Sequence, residues 1–135
     1  MNSFGDNFRI AIFGESHAPA TGIVLDGVPA GIELSQNDFT ADILRRKSGS
    51  LGTTPRIEDD IPEILSGVAD GCTTGAPLTI IFRNNNIKSQ DYSSFREVPR
   101  PGHADFVASI KYNFHNDIRG GGHFSGRLTL PLVAA

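Results

Sequence analysis

Phe8-Arg9-Ile10-Ala11-Ile12-Phe13, then Gly14-Glu15-Ser16-His17-Ala18-Pro19-Ala20, then Gly22-Ile23-Val24-Leu25-Asp26-Gly27-Val28 read as strand, loop and strand. The two apolar runs are short, rich in β-branched and aromatic residues, and bounded by glycine and proline, which predicts a hairpin with His17 on its connecting loop. Downstream, Ser35 followed by Asp38 predicts a helix N-cap, and Phe39, Ile43 and Leu44 supply the apolar face of a helix running to about Lys47. Glu63 to Val68 and Pro77 to Phe82 are two further strand candidates around the turn Asp70-Gly71-Cys72-Thr73-Thr74-Gly75, which predicts a second hairpin or meander. Sheet and helices are both required, so the fold class is α+β.

The chain has 135 residues, a length that fits a single domain with a real core, and its hydrophobic fraction of 39% is that of an ordinary globular protein. No apolar run approaches the roughly 20 residues that cross a bilayer, and the N-terminus lacks the basic-then-apolar order of a signal peptide, so a cytoplasmic protein without a membrane partner is expected. Cys72 is the one cysteine, which excludes an internal disulfide and agrees with a reducing compartment; packing is its expected role. A net charge of −3 argues against a nucleic-acid partner.

The positive charge is local. Arg45, Arg46 and Lys47 run into Ser48-Gly49-Ser50, Arg56 follows Thr53-Thr54-Pro55, and Arg100, Arg119 and Arg127 each stand beside or near a glycine or proline turn, which suits a small anion site. The plainer reading of Arg45 to Lys47 is a solvated helix end, where cations are favoured by the macrodipole. Glu58, Asp59 and Asp60 read as a solvated acidic turn.

Two histidines carry the chemical signal, His17 in Gly14-Glu15-Ser16-His17 and His103 in Arg100-Pro101-Gly102-His103-Ala104-Asp105. Histidine exchanges a proton near neutral pH, so two of them on turn-rich segments point to managed proton transfer. Either one alone could equally cap a turn or pack a core. From His103, Val107, Ile110 and Phe114 follow at steps of four, three and four, the spacing of one helical face, so His103 heads an apolar stripe and could face a buried cavity. Arg119-Gly120-Gly121-Gly122-His123-Phe124-Ser125-Gly126-Arg127 is a three-glycine loop whose backbone can approach a ligand, with Ser125 as a helix N-cap; a flexible connector is the commoner use of such a run. Ser16 and His17 are adjacent and point apart in extended chain, which argues against a Ser-His hydrolase. With no His-Glu-x-x-His and no paired cysteine spacing, no metal is expected.

Taken together, these stretches resemble the chorismate synthase family. Gly14-Glu15-Ser16-His17 with Gly22 to Pro29 resembles that family's first signature, Arg100 to Asp105 its second histidine segment, and Gly120-Gly121-Gly122 leading to Ser125-Gly126-Arg127 the start of its third. Leu44-Arg45-Arg46, Thr53 to Arg56, Ile64 to Gly67, Thr73 to Gly75, Ile81 to Asn84 and Ser89 to Tyr92 are similar as well, in the family's order along the whole chain. The resemblance implies the N-terminal portion, residues 1–135, of a single domain with a β-α-β sandwich.

It also implies a lyase that eliminates phosphate from 5-enolpyruvylshikimate 3-phosphate to give chorismate in a trans-1,4 sense, in the shikimate route to aromatic amino acids. Reduced flavin mononucleotide (FMN) is required without net redox change; NADP association and a homotetramer are further family properties. Carried over residue by residue, His17 and His103 are the catalytic pair, with His17 at the leaving phosphate and His103 at the flavin. Ser16, Arg45, Arg46 and Arg127 contact the substrate, and His103, Ser125, Gly126 and Arg127 the cofactor. Guanidinium groups suit this substrate because they stay charged and grip phosphate and carboxylate oxygens in a fork.

The chain departs from the family pattern at Ala18, Ser48, His123-Phe124 and Leu128, where glycine, proline, arginine with a small residue, and glutamate are usual. Family members run to more than twice this length and carry further arginine and aspartate positions, so these 135 residues alone are expected to be inactive, to end within a helix at Val133-Ala134-Ala135, and to expose an apolar patch. A non-catalytic flavin- or phosphate-binding module derived from the enzyme is the alternative, and a purely structural truncation product a third. His17, His103, Arg45 and Arg127 are expected to converge on one open concave surface.

Overall fold

The structure, a computed structural model, describes residues 2–46, 59–85 and 89–135. Lys47, Ser48 to Ser50, Thr53 to Arg56 and Glu58, named above, lie outside these residues. Seven strands occur among them: β1 (Ser3–Phe4), β2 (Arg9–Gly14), β3 (Ala20–Asp26), β4 (Pro62–Ser66), β5 (Val68–Ala69), β6 (Cys72–Thr73) and β7 (Leu78–Arg83). The first hairpin forms as read, with β2 pairing antiparallel to β3 through Ile10↔Leu25 and Ile12↔Ile23. The main sheet has the order β1-β2-β3-β7-β4 and every pairing in it is antiparallel. The second strand pair is β4 with β7, and a small separate hairpin, β5–β6, stands between them in sequence. Its turn residues Asp70 and Gly71 both have positive φ (51° and 77°), the conformation for which Asp-Gly is favoured in two-residue hairpins.

Alternation decides which face is buried. Ile23 opposite Ile80, Leu25 opposite Leu78, and Thr21 opposite Phe82 project to one side and are buried. Against that side lie Phe39, Ile43 and Leu130, which complete the core. Phe39 ends a 3₁₀ turn (Gln36–Phe39), Ile43 sits on α1 (Thr40–Arg46) and Leu130 on α3 (Thr129–Ala134), so helices cover one face of an antiparallel sheet. At the helix entry, the Ser35 backbone N–H and hydroxyl both donate to the Asp38 carboxylate, at 2.7 and 2.9 Å, which establishes the cap read from the sequence.

Three expectations are corrected by the packing. Leu44 is exposed, because α1 turns only the side bearing Ile43 to the core. The helix after His103, α2 (Asp105–Lys111), buries Asp105 and Ala108, whereas Val107, Ile110 and Phe114 are all exposed. Phe114 is not helical at all: it follows Asn113 in the left-handed region, with φ of 61° and 49°, so the step-of-four pattern ran past the end of the helix. The acidic run is not wholly solvated either, since Asp60 is buried against two arginines.

Candidate functional site

Two loops that are far apart in sequence meet above the β2–β3 hairpin. The Ser16 amide donates to the Gly122 carbonyl (3.0 Å), tying the loop after β2 to the triple glycine. Ser16 and His17 are 3% and 6% exposed. A Cβ on Gly120 would stand 2.5 Å from the Ser16 hydroxyl and 2.9 Å from Cδ2 of His17, and one on Gly121 would stand 3.2 Å from Cε1 of His103. The glycines are therefore a contact surface for both histidines rather than a loose connector. All three have positive φ, and Gly122 packs where a Cβ would strike the Asp117 carbonyl.

Each histidine has a defined setting. The His17 ring stands edge-on to Tyr92, with centroids 4.9 Å apart and an interplanar angle of 86°. Nearby, burial works against ionisation of Asp117, yet hydrogen bonds from Arg119 and the proximity of His17 prevail and hold its carboxyl below the usual range. His103 is 34% exposed and its Nδ1 lies 2.9 Å from the Asp105 carboxylate. A carboxylate accepts only, so Nδ1 carries the proton and Nε2 is left as the exchanging atom; Nε2 has no hydrogen-bond partner among the described residues.

Asp105 is itself buried and gripped by Arg100 through Nε (2.7 Å), Nη2 (2.8 Å) and the backbone amide (3.0 Å). These bonds from Arg100 hold its pKa at about 2 against the burial that would raise it. A carboxyl depressed from 3.8 to about 2 contributes stability that is complete above pH 3.8 and lost as pH falls through 2. Thermal unfolding followed by circular dichroism between pH 5 and 2 should show that loss, and Asp105→Asn should be less stable at pH 5 with a shallower acid limb. An unchanged acid limb in the variant would remove Asp105 from the account.

The arginines separate into two groups. Arg127 is buried and spends its guanidinium inside the protein: Nε donates to Asn84 Oδ1 (2.9 Å), Nη2 to the Arg83 carbonyl (3.0 Å) and Nη1 to Asp60. Arg46 reaches the same carboxylate (3.5 Å) and donates to the Gly126 carbonyl (2.9 Å). Among the described residues, two guanidiniums share the Asp60 carboxylate beside the loop that holds Ser125 and Gly126. The Ser125 hydroxyl caps that loop by accepting from the Arg127 amide (3.1 Å), and a Cβ on Gly126 would meet nothing within 4 Å, so the space beside it is open. Arg45 stands apart from the histidines: its side chain is 83% exposed and paired with Asp42 at 2.8 Å, on a cleft of about 380 Å³ that Arg46 and Val133 also line.

The structure thus brings Ser16, His17 and His103 onto the glycine loop and links Arg127 to them through Asn84, while Arg45 lies elsewhere. With these segments placed, their common origin can be named. A sequence model of chorismate synthase matches residues 8–135. The chain belongs to the chorismate synthase family. A chorismate synthase from Chitinophaga pinensis is 63% identical over 135 residues, covering the whole chain and 41% of the relative. One from Methanocaldococcus jannaschii is 50% identical over 134 residues, 98% of the chain and 35% of the relative. A crystal structure of chorismate synthase superposes with a TM-score of 0.62 at 28% identity, covering 94% of this chain and 31% of that one. The chain therefore spans about two fifths or less of the length of these relatives.

Of the departures from the family pattern, His123 has a defined setting. His123 Nδ1 donates to the Gly14 carbonyl (2.8 Å) and Nε2 contacts Asn2 Oδ1 (2.8 Å), so this residue fastens the glycine loop to β2. Leu128 is buried. Sequence reasoning missed Asp105, Asp117, Asn84 and Asp60 as members of the site. For Asp105 a signal existed, since it stands two residues after His103 in the quoted motif; Asn84 and Asp60 have no local signal, because their partners lie 43 and 67 residues away. No helix among the described residues is long and apolar enough to cross a membrane.

Proposed function

We propose that this chain supplies the proton-handling part of a chorismate synthase, a lyase that eliminates phosphate from 5-enolpyruvylshikimate 3-phosphate to form chorismate. The observation that carries the reading is the meeting of two motif histidines from segments 86 positions apart on one glycine loop, in a chain that matches the family from residue 8 to 135. His17, held beside Ser16, donates a proton toward the departing phosphate. His103 exchanges its proton at Nε2 while Asp105 keeps Nδ1 protonated, so its working tautomer is set before any ligand arrives.

Reduced FMN, when bound, supplies an electron to the substrate. The residues here fit such a group: His103 presents a partly exposed edge, the space at Gly126 is open, and Ser125 and Gly126 lie beside the Arg46 and Arg127 guanidiniums. Arg46 contacts a substrate anion from beside Asp60 and the Gly126 carbonyl. Arg127 contributes its charge from below, its fork being engaged by Asn84, Arg83 and Asp60. Arg45 contacts substrate only through the surface cleft that it lines with Arg46.

The decisive assay extends these 135 residues with the C-terminal portion of the Chitinophaga pinensis relative and measures chorismate release from 5-enolpyruvylshikimate 3-phosphate with reduced FMN. Turnover by the extended chain, with at most residual binding by residues 1–135 alone, is the expected result. A folded extended chain that binds substrate and FMN but releases no phosphate would sink the catalytic reading.

A further inference from the structure

We infer that Asn84 is the positioning residue for His17, an assignment that rests on the catalytic reading just given. Asn84 follows β7 and is buried, and both hydrogens of its carboxamide nitrogen and its carboxamide oxygen are engaged. Its Nδ2 donates to the carbonyls of Glu15 (3.1 Å) and Ala18 (2.7 Å), the residues that flank Ser16 and His17 on either side. Its backbone amide donates to the Pro19 carbonyl (3.0 Å). Its Oδ1 accepts from Arg127 Nε (2.9 Å). This orientation is forced, because carbonyls only accept and a guanidinium only donates.

The consequence is a clasp. A single side chain closes the loop of residues 15–18 from both ends, and that clasp is anchored on a buried cation, which is anchored in turn on Asp60. The Ala18 amide bonded to the Glu15 carbonyl (3.1 Å) shows how tight the enclosed turn is. Asn84 touches neither substrate nor flavin in this arrangement; it acts by holding the backbone that aims the His17 ring at the leaving group. Displacing a catalytic group by about 1 Å can cost on the order of 10²-fold in rate.

Asn84→Asp is the informative change, since it keeps the size and still accepts from Arg127 but has no hydrogen to give Glu15 and Ala18. In the chain extended to the family's length, it should lower kcat about 10- to 100-fold while KM moves less than about threefold. The same substitution placed in a His17→Ala background should cost almost nothing further, because the group it positions is gone. Equal losses in both backgrounds, or no loss in the first, would overturn the inference. Asn84→Ala, which is neutral, is run in parallel to remove the effect of added charge, and failure of both variants to fold would make Asn84 a residue of the fold and also overturn it. If His17→Ala by itself leaves turnover intact, the fault lies with the catalytic reading instead.

Discussion

His17→Ala, in the chain extended to the family's length, lowers turnover by about two to four powers of ten, the range usual for a lost general acid. The size of the effect follows from the setting. His17 is buried beside Ser16 and the triple glycine, edge-on to Tyr92, so water has limited access to replace it. The cost in stability is smaller in consequence, about that of truncating one packed side chain, roughly 1 to 3 kcal/mol. Steady-state kinetics paired with thermal unfolding separates the two: kcat should collapse while the folded fraction at assay temperature stays near wild type. Near-normal turnover would end the assignment of His17 as the acid.

Gly120→Ala should be nearly as damaging to turnover without removing any functional group. Its φ of +57° lies in the left-handed region, where an L-residue costs about 1–2 kcal/mol. More importantly, the added methyl would stand 2.5 Å from the Ser16 hydroxyl and 3.0 Å from His17 Nε2, so the loop or the histidine must move. Loss of about 10²-fold in kcat is expected from that displacement. Gly71→Ala is the control, because Gly71 has φ of +77° and a Cβ there would meet nothing within 4 Å. The control should share the backbone cost, seen as a lowered Tm, and keep its turnover. Equal kinetic losses in the two variants would mean that backbone strain, and not contact with His17, is responsible.

The exposed face of α2 bears on how these residues are used. Phe106, Val107 and Ile110 all stand more than half exposed, and they share one side of the helix by their spacing of three and four. Such a face is unusual on a monomer and accords with the expected apolar patch. Val107 and Ile110 belong to the stripe headed by His103, for which the sequence spacing suggests a buried cavity. Periodicity reports that a face is apolar; it carries no information on what covers it.

What the sequence by itself determined was whatever depends on neighbours along the chain. The β2–β3 hairpin, the Ser35–Asp38 cap, the Asp70-Gly71 turn and the Ser125 cap were all legible, because alternation, side-chain reach to a nearby amide and glycine's access to positive φ act over two to six residues. The motif segments around His17 and His103 were legible as well, and with them the family. Only the tertiary structure decided which side of each element is buried and which distant groups meet. It placed Leu44 and the α2 stripe outside, took Asp60 from a solvated turn to the partner of Arg127 and Arg46, and paired Arg45 with Asp42 while Arg46 reaches Asp60. It also made Asn84, read from the sequence only as part of a family-like stretch, the link between Arg127 and the His17 loop. The reason is physical: a buried charge or amide must find every partner within about 3 Å, and those partners are chosen by how the sheet and helices close, not by their distance along the chain.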